Sequence, residues 1–117
     1  PDYLIMVGKC IQDGWQKAAK KHSIRIKVTG IYPLSHFSFD HKESLVLKTL
    51  FTQFMLKKGF LASTIFYASY AHRPEHIAAY LKAADESFER IAQACSKGDF
   101  RKQLQGPVCH DGFKRLN

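Results

Sequence analysis

Gly59-Phe60-Leu61-Ala62-Ser63-Thr64-Ile65-Phe66-Tyr67-Ala68-Ser69-Tyr70-Ala71-His72-Arg73-Pro74-Glu75-His76-Ile77 is the stretch on which the fold turns. A glycine tolerates the left-handed conformation with which many helices stop, so Gly59 predicts a helix end. Thr64 to Tyr67 sets β-branched and aromatic residues in a row, a composition that fits a pleated, half-buried surface. Ala68, Ser69 and Ala71, with Tyr70 between them, are small enough to let something approach the backbone closely. Pro74 fixes φ near the helical value and lacks only an N–H that a first helical turn leaves unpaired. The stretch therefore reads as helix end, buried strand, narrow loop and helix start. On spacing alone it is a tight crossover within a core.

Upstream of it, Leu47, Leu50, Phe51, Phe54 and Met55 fall on one helical face, and Lys57-Lys58-Gly59 gives a basic last turn with a glycine stop. Asp40 and Glu43 stand at capping-box spacing before that helix. Earlier still, Ile24, Ile26 and Val28 alternate with Arg25, Lys27 and Thr29, the pattern of a half-buried strand. Gly30 to Pro33 is a turn, and Leu34 to Phe39 is a second strand with Phe37 and Phe39 on one face and His36 and Ser38 on the other. So short a connection predicts an antiparallel hairpin. The chain opens with a helix carrying Leu4, Val7, Ile11, Trp15 and Ala18 on one face and ending near His22-Ser23. Gly8 and Gly14 each weaken it by about 1 kcal/mol relative to Ala, so it depends on close packing against neighbours.

Downstream, a long helix from Pro74 carries Ile77, Leu81, Ala84, Phe88, Ile91 and Cys95 at spacings of three and four, with Gly98 at its end. Phe100 to Leu104 is a short helix, and the tail that follows has no period. The order α-β-β-α-β-α plus tail predicts an α+β fold, a small, mainly antiparallel sheet covered by helices. The expected division is a domain at residues 1–98 and a C-terminal tail at 99–117.

With 117 residues and 45% hydrophobic content, the chain can bury a real core. No apolar run approaches a membrane span, and no secretory signal is visible. Cys10, Cys95 and Cys109 are odd in number, widely spaced and without a CxxC pair, which points to a reducing compartment, the cytoplasm. The formal charge is +8. Its lysine pairs Lys20-Lys21 and Lys57-Lys58 sit near helix ends, where cations favour the dipole without any polyanion.

His72 and His76, four apart, and His36 and His41, five apart, do not supply the converging ligands and outer partners of a zinc site. Cys109-His110, with Asp111 beside them, is not the geometry of a nucleophile and its base, because adjacent side chains rarely face one another. No phosphate-cradling glycine loop occurs. Phe37, Phe39, Phe66 and Tyr67, on strands of a basic chain, leave a second class open: a free-standing nucleic-acid-binding module that stacks bases. No stretch carries the aromatic signature of an RNA-recognition sheet, and core packing accounts for these rings better.

The run Gly59 to Phe88 resembles the C-terminal part of class III, pyridoxal-phosphate-dependent aminotransferases, above all glutamate-1-semialdehyde aminotransferase and its relatives. Three features carry the resemblance. One is Gly-Phe-Leu-Ala, strand, Ser-Tyr-Ala-His, then Glu-His-Ile-x-x-Tyr-Leu-x-Ala-x-Asp-Glu-x-Phe. The second is the hairpin ending His-Phe-Ser-Phe. The third is the first helix with Gly14-Trp15. It extends over nearly the whole chain up to Ala94.

The resemblance implies the small domain of a fold-type I transaminase. The Schiff-base lysine, the acid that pairs with the pyridine nitrogen and most phosphate contacts then lie in a large cofactor-binding domain, and none maps onto this sequence. It implies pyridoxal phosphate in the full-length enzyme and none held by this stretch alone, which is expected to be inactive by itself. Other implied partners are that large domain, a small amine or carbonyl substrate and a second copy in a homodimer, with no nucleic acid and no membrane. Thr64, Ile65, Phe66, Ala68 and Ser69 are the expected substrate-pocket residues. Ile65 stands where many relatives carry a carboxylate-gripping arginine, Thr64 where the semialdehyde enzymes tend to carry glutamate, and Arg73 where relatives often have a Thr cap. The implied substrate is accordingly another amine or carbonyl compound as readily as glutamate semialdehyde.

Overall fold

In the computed structural model, which describes residues 2–110, the chain runs α1 (Asp2–Lys21), β1 (Ile26–Thr29), β2 (Leu34–Phe39), α2 (Ser44–Lys57), β3 (Ile65–Tyr67) and α3 (Pro74–Lys97), then a short 3-10 helix at Phe100–Gln103. The α-β-β-α-β-α order is the one the periodicities predict. Its strands form one antiparallel sheet in the order β1-β2-β3.

The register sets the two faces of the sheet. Val28 pairs with Phe37 and Ile26 with Phe39, while Ser35 pairs with Phe66. These residues share the face that packs on the helices. Phe37 is its hub. Its ring lies 4.7 Å from Trp15 of α1, 5.2 Å from Phe51 of α2 and 5.5 Å from Phe88 of α3. Each helix thus delivers one ring from its apolar stripe to the same point, and each such aromatic pair adds roughly 0.5–1.5 kcal/mol beyond its buried area. The opposite face carries Lys27, Thr29, Leu34, His36, Ser38, Ile65 and Tyr67, and among the described residues no helix covers it.

α1 packs as closely as its glycines require. A Cβ on Gly8 would stand 1.7 Å from the Tyr32 carbonyl oxygen, and one on Gly14 would stand 2.5 Å from Leu81 Cδ2. Along α3 the buried stripe is wider than the spacing predicts. Tyr80, Ala83, Ser87 and Ala94 are buried with Ile77, Ala84, Phe88 and Ile91, whereas Leu81 and Cys95 are only half-buried. α3 touches both other helices, so two adjoining faces are covered instead of one.

Two local expectations fail for visible reasons. The capping box does not form: Glu43 is the N-cap of α2 but makes no side-chain cap bond. Its carboxylate accepts instead from Arg101 Nε at 2.8 Å, the Asp40 carboxylate accepts from Arg25, and His41 Nδ1 takes the Glu43 N–H at 2.9 Å. Both acids thus have cationic partners. The first strand starts at Ile26, not Ile24, because the Ile24 N–H turns back to the Ala19 carbonyl at 2.8 Å and closes α1.

The segment after α3 returns along α2. Gln53 Nε2 donates to the Gln103 carbonyl at 2.7 Å, and Thr49 Oγ1 accepts from the Cys109 N–H at 2.9 Å. Phe100 and Leu104 pack against the core. Asp111, which the sequence sets beside Cys109-His110, lies outside the described residues. All three cysteines are free. Among the described residues, no helix is long and apolar enough to cross a membrane.

Candidate functional site

β3 is an edge strand, and the chain entering and leaving it wraps a cleft of about 450 Å³ against the start of α3. Phe60, Phe66, Ile77 and Tyr80 form its apolar walls, and Leu61, Ile65 and Tyr67 stand at the rim. Ala62, Ser63, His72 and His76 complete the lining. The volume falls within the range that small-molecule pockets occupy.

Three hydrogen bonds fix the polar side chains here. Tyr80 Oη accepts the Trp15 indole N–H at 3.0 Å, His72 Nδ1 accepts the Ser69 backbone N–H at 3.0 Å, and Ser63 Oγ accepts the Ile65 N–H at 3.4 Å. An amide N–H can only donate, so the neutral His72 ring carries its proton on Nε2. The ring lies 4.9 Å from Phe66, whose other neighbour is Tyr80 at 5.0 Å. The Tyr3 hydroxyl donates to the His72 carbonyl and ties the loop to α1. Burial pushes the Tyr80 phenol well above its usual range, against the smaller opposing effect of the Trp15 bond. Tyr80 is therefore a neutral hydroxyl.

The five residues expected to form the substrate wall divide. Ile65 and Phe66 line the cleft. Thr64 is 1% exposed, on the helix-facing side of the sheet, with no partner for its hydroxyl among the described residues; its carbonyl accepts the Phe37 N–H at 2.9 Å. Ala68 packs against the core, and Ser69 Oγ accepts the Ala71 N–H, shaping the turn. The sequence reading missed Phe60 and Tyr80 and weighed His72 and His76 only as metal ligands. The Ile77-Tyr80-Ala84 spacing was the available signal for Tyr80.

Among the described residues, no three His, Cys, Asp or Glu side chains group as metal ligands would. The rings that a base-stacking sheet would present are inside: Phe37 is 0% and Phe39 4% exposed, and of the strand aromatics only Tyr67 faces solvent.

No protein-family model matches the sequence, and no curated protein matches it. Solved structures do share the fold. The FumI protein of a Sphingopyxis species, in its PLP internal aldimine form, matches with a TM-score of 0.74 at 20% identity over 89% of this chain. An omega-transaminase from Sphaerobacter thermophilus matches with a TM-score of 0.70 at 13% identity over 79% of it. The chain spans 24% of each of those proteins. The residues of the cleft do not fit pyridoxal phosphate: among the described residues, neither a lysine amine nor an acid lines it.

Proposed function

We propose that this chain is the small domain of a pyridoxal-phosphate-dependent class III aminotransferase and that its cleft forms part of the substrate wall. The observation that carries the reading is the shared fold over 89% of the chain with a protein solved as its PLP internal aldimine. The motifs from Gly59 to Phe88 support it independently. So does the surface: Ile5, Ile31, Tyr32, Leu34, Ile65 and Tyr67 are exposed along the N-terminal part of α1, the hairpin turn and the uncovered face of the sheet. Exposed apolar side chains suit an interaction site where they adjoin, and a large cofactor-binding domain is the partner that this reading assigns to them.

In this reading the cofactor supplies the electron sink, and the small domain positions the substrate. Residues 1–98 are the domain in this reading and 99–117 its C-terminal tail, of which Phe100 to Cys109 lies back against α2, and the chain alone is inactive. The whole enzyme is a cytoplasmic homodimer acting on a small amine or carbonyl compound. Glutamate 1-semialdehyde is one such compound, although Ile65 at the rim offers no charge to a carboxylate.

The test is the whole gene product. Expressed in full, it should carry stoichiometric pyridoxal phosphate and move an amino group from an amine donor to a carbonyl acceptor. A full-length protein that neither binds the cofactor nor transaminates overturns the reading.

A further inference from the structure

The two edges of the sheet differ. At the β1 edge, Arg25 and Lys27 are exposed, and such charges keep an open edge from pairing. Nothing around β3 does this: from Gly59 to Ala71 no residue carries a charge, in a chain that is 24% charged. The ladder also fixes where the backbone groups of β3 point. The Thr64 carbonyl accepts the Phe37 N–H, and the Ala68 N–H donates to the Pro33 carbonyl. Backbone groups alternate sides along an antiparallel strand. Those of Thr64, Phe66 and Ala68 therefore face β2, and those of Ile65 and Tyr67 face outward. The Ile65 N–H meets only Ser63 Oγ, at 3.4 Å. The Ile65 and Tyr67 carbonyls and the Tyr67 N–H have no hydrogen-bond partner among the described residues.

We propose that an extended, uncharged segment of the full-length protein, with a large apolar residue at its center, pairs antiparallel with β3 as a fourth strand of the sheet. Its central residue lies beside Phe66 and points to the helix-facing side, where Phe60, Ile77 and Tyr80 wall the cleft. Its two flanking residues lie beside Ile65 and Tyr67 on the uncovered face, and each exchanges backbone hydrogen bonds with its neighbour on β3. One side chain takes only part of a cleft of about 450 Å³, a volume in the range of whole small-molecule pockets, so space for a substrate remains. The source of the segment rests on the reading above. Ile65 and Tyr67 belong to the exposed apolar side chains that this reading assigns to the large domain, and the body that covers those side chains is in place to meet their backbone. The open edge itself needs only the register and the missing charges.

The experiment titrates the 15N-labelled 117-residue chain with the peptide acetyl-Thr-Val-Leu-Val-Thr-amide, read by amide shifts. Saturable shifts are expected at Ile65, Phe66, Tyr67, Ile77 and Tyr80. N-methylation of either valine removes a bond to the edge and should weaken binding about fivefold or more. N-methylation of the leucine, whose N–H points away from β3, should leave binding unchanged. Tyr67→Pro withdraws an outward N–H, a substitution that edge strands tolerate, and should abolish binding while the fold is kept. No saturable binding, equal losses from all the methylations, or binding unaffected by Tyr67→Pro overturns the proposal. A dimer of the 117-residue chain that Tyr67→Pro dissolves gives the edge to a second copy and overturns it too. In the full-length protein, the Ile65 and Tyr67 amides should exchange with solvent about tenfold more slowly or better than in the 117-residue chain, and fast exchange in both overturns the assignment to the parent. A protected edge in a parent without pyridoxal phosphate keeps the strand and removes only the transaminase reading. An unprotected edge in a working transaminase does the reverse.

Discussion

The Trp15 indole N–H donates to the Tyr80 hydroxyl at 3.0 Å, joining the center of the helix-packed core to the floor of the cleft. Trp15 is 0% and Tyr80 5% exposed, so water does not readily replace either partner. Tyr80→Phe leaves the indole N–H buried and unpaired. The expected cost is about 1–3 kcal/mol, measurable by urea denaturation followed through the single tryptophan. A loss below about 0.5 kcal/mol would mean that the bond contributes no more than an ordinary surface contact.

Gly8 and Gly14 separate two kinds of close approach. Replacing either by Ala gains roughly 1 kcal/mol of helix propensity. At Gly14 the new methyl meets the end of the Leu81 side chain, which can rotate away, so Gly14→Ala should be close to neutral. At Gly8 it meets the Tyr32 backbone at 1.7 Å. Neither α1 nor the hairpin turn can yield without moving its ladder or its core residues. Gly8→Ala should lose at least the roughly 1–3 kcal/mol typical of overpacking. Similar melting temperatures for the two variants would show that the turn is free to shift.

The three α-helices end in one way. Ile24, Phe60 and Asp99 each send an N–H back to the carbonyl five residues earlier, at Ala19, Met55 and Ala94. The residue before each has positive φ: Gly59 at 89°, Gly98 at 72° and Ser23 at 59°. Serine bears the steric cost of the left-handed region that glycine avoids, roughly 1 kcal/mol. Ser23→Gly should therefore stabilize the chain by up to about that amount, offset in part by the greater freedom of glycine in the unfolded state. Gly98→Ala should destabilize it. Chemical denaturation of both variants checks the pair, and a destabilizing Ser23→Gly would sink the account.

Much of this fold was legible because the apolar period of α1, α2 and β2 marks the face that each turns to the shared aromatic center. Phe37, Phe39, Leu50, Phe51 and Trp15 were predicted to lie inward, and they do. α3 packs against two helices, so a single stripe of period 3.6 missed Tyr80, Ser87 and Ala94. The capping box failed because short-range spacing says nothing of Arg25 and Arg101, which reach Asp40 and Glu43 from elsewhere in the chain. The cleft was half legible. β3 could be read from β-branched and aromatic residues, and strand alternation separates Thr64 from Ile65. The polarity of the cleft could not be read, since it depends on donors from Trp15 and Ser69 meeting particular lone pairs of Tyr80 and His72.

His36 should make stability depend on pH. Burial in the folded chain, and then the charge of Lys48, hold its pKa below the ordinary 6.5. The unfolded chain therefore binds this proton more readily than the folded one, and stability rises with pH across the interval between the two values. The contribution is fully present above 6.5 and is lost as pH falls through the lower folded value. His36→Gln should flatten that part of the pH–stability curve relative to the parent chain. An unchanged slope in the variant would assign the dependence to another group.

Thr64 and Ile65 are adjacent in sequence and opposite in consequence. Thr64 is 1% exposed and its hydroxyl has no hydrogen-bond partner among the described residues, whereas Ile65 is 37% exposed at the rim of the cleft. Thr64→Val keeps the shape and removes an unpaired hydroxyl, a change expected to be neutral or stabilizing by about 1 kcal/mol. Thr64→Glu forces a carboxylate into the core without a partner and should cost about 3 kcal/mol or more, the scale of a buried charge left alone. Ile65→Arg projects toward solvent and should stay within about 0.5–1 kcal/mol of the unaltered chain. Thermal melts of the three variants separate these expectations. In the full-length protein, the same Ile65→Arg should shift the substrate preference toward compounds bearing an additional carboxylate, while cofactor content stays unchanged. A Thr64→Glu chain as stable as the unaltered one would show that this side chain does not face the core. A folded Ile65→Arg enzyme with the same kcat/KM across a panel of amines would remove Ile65 from the substrate wall.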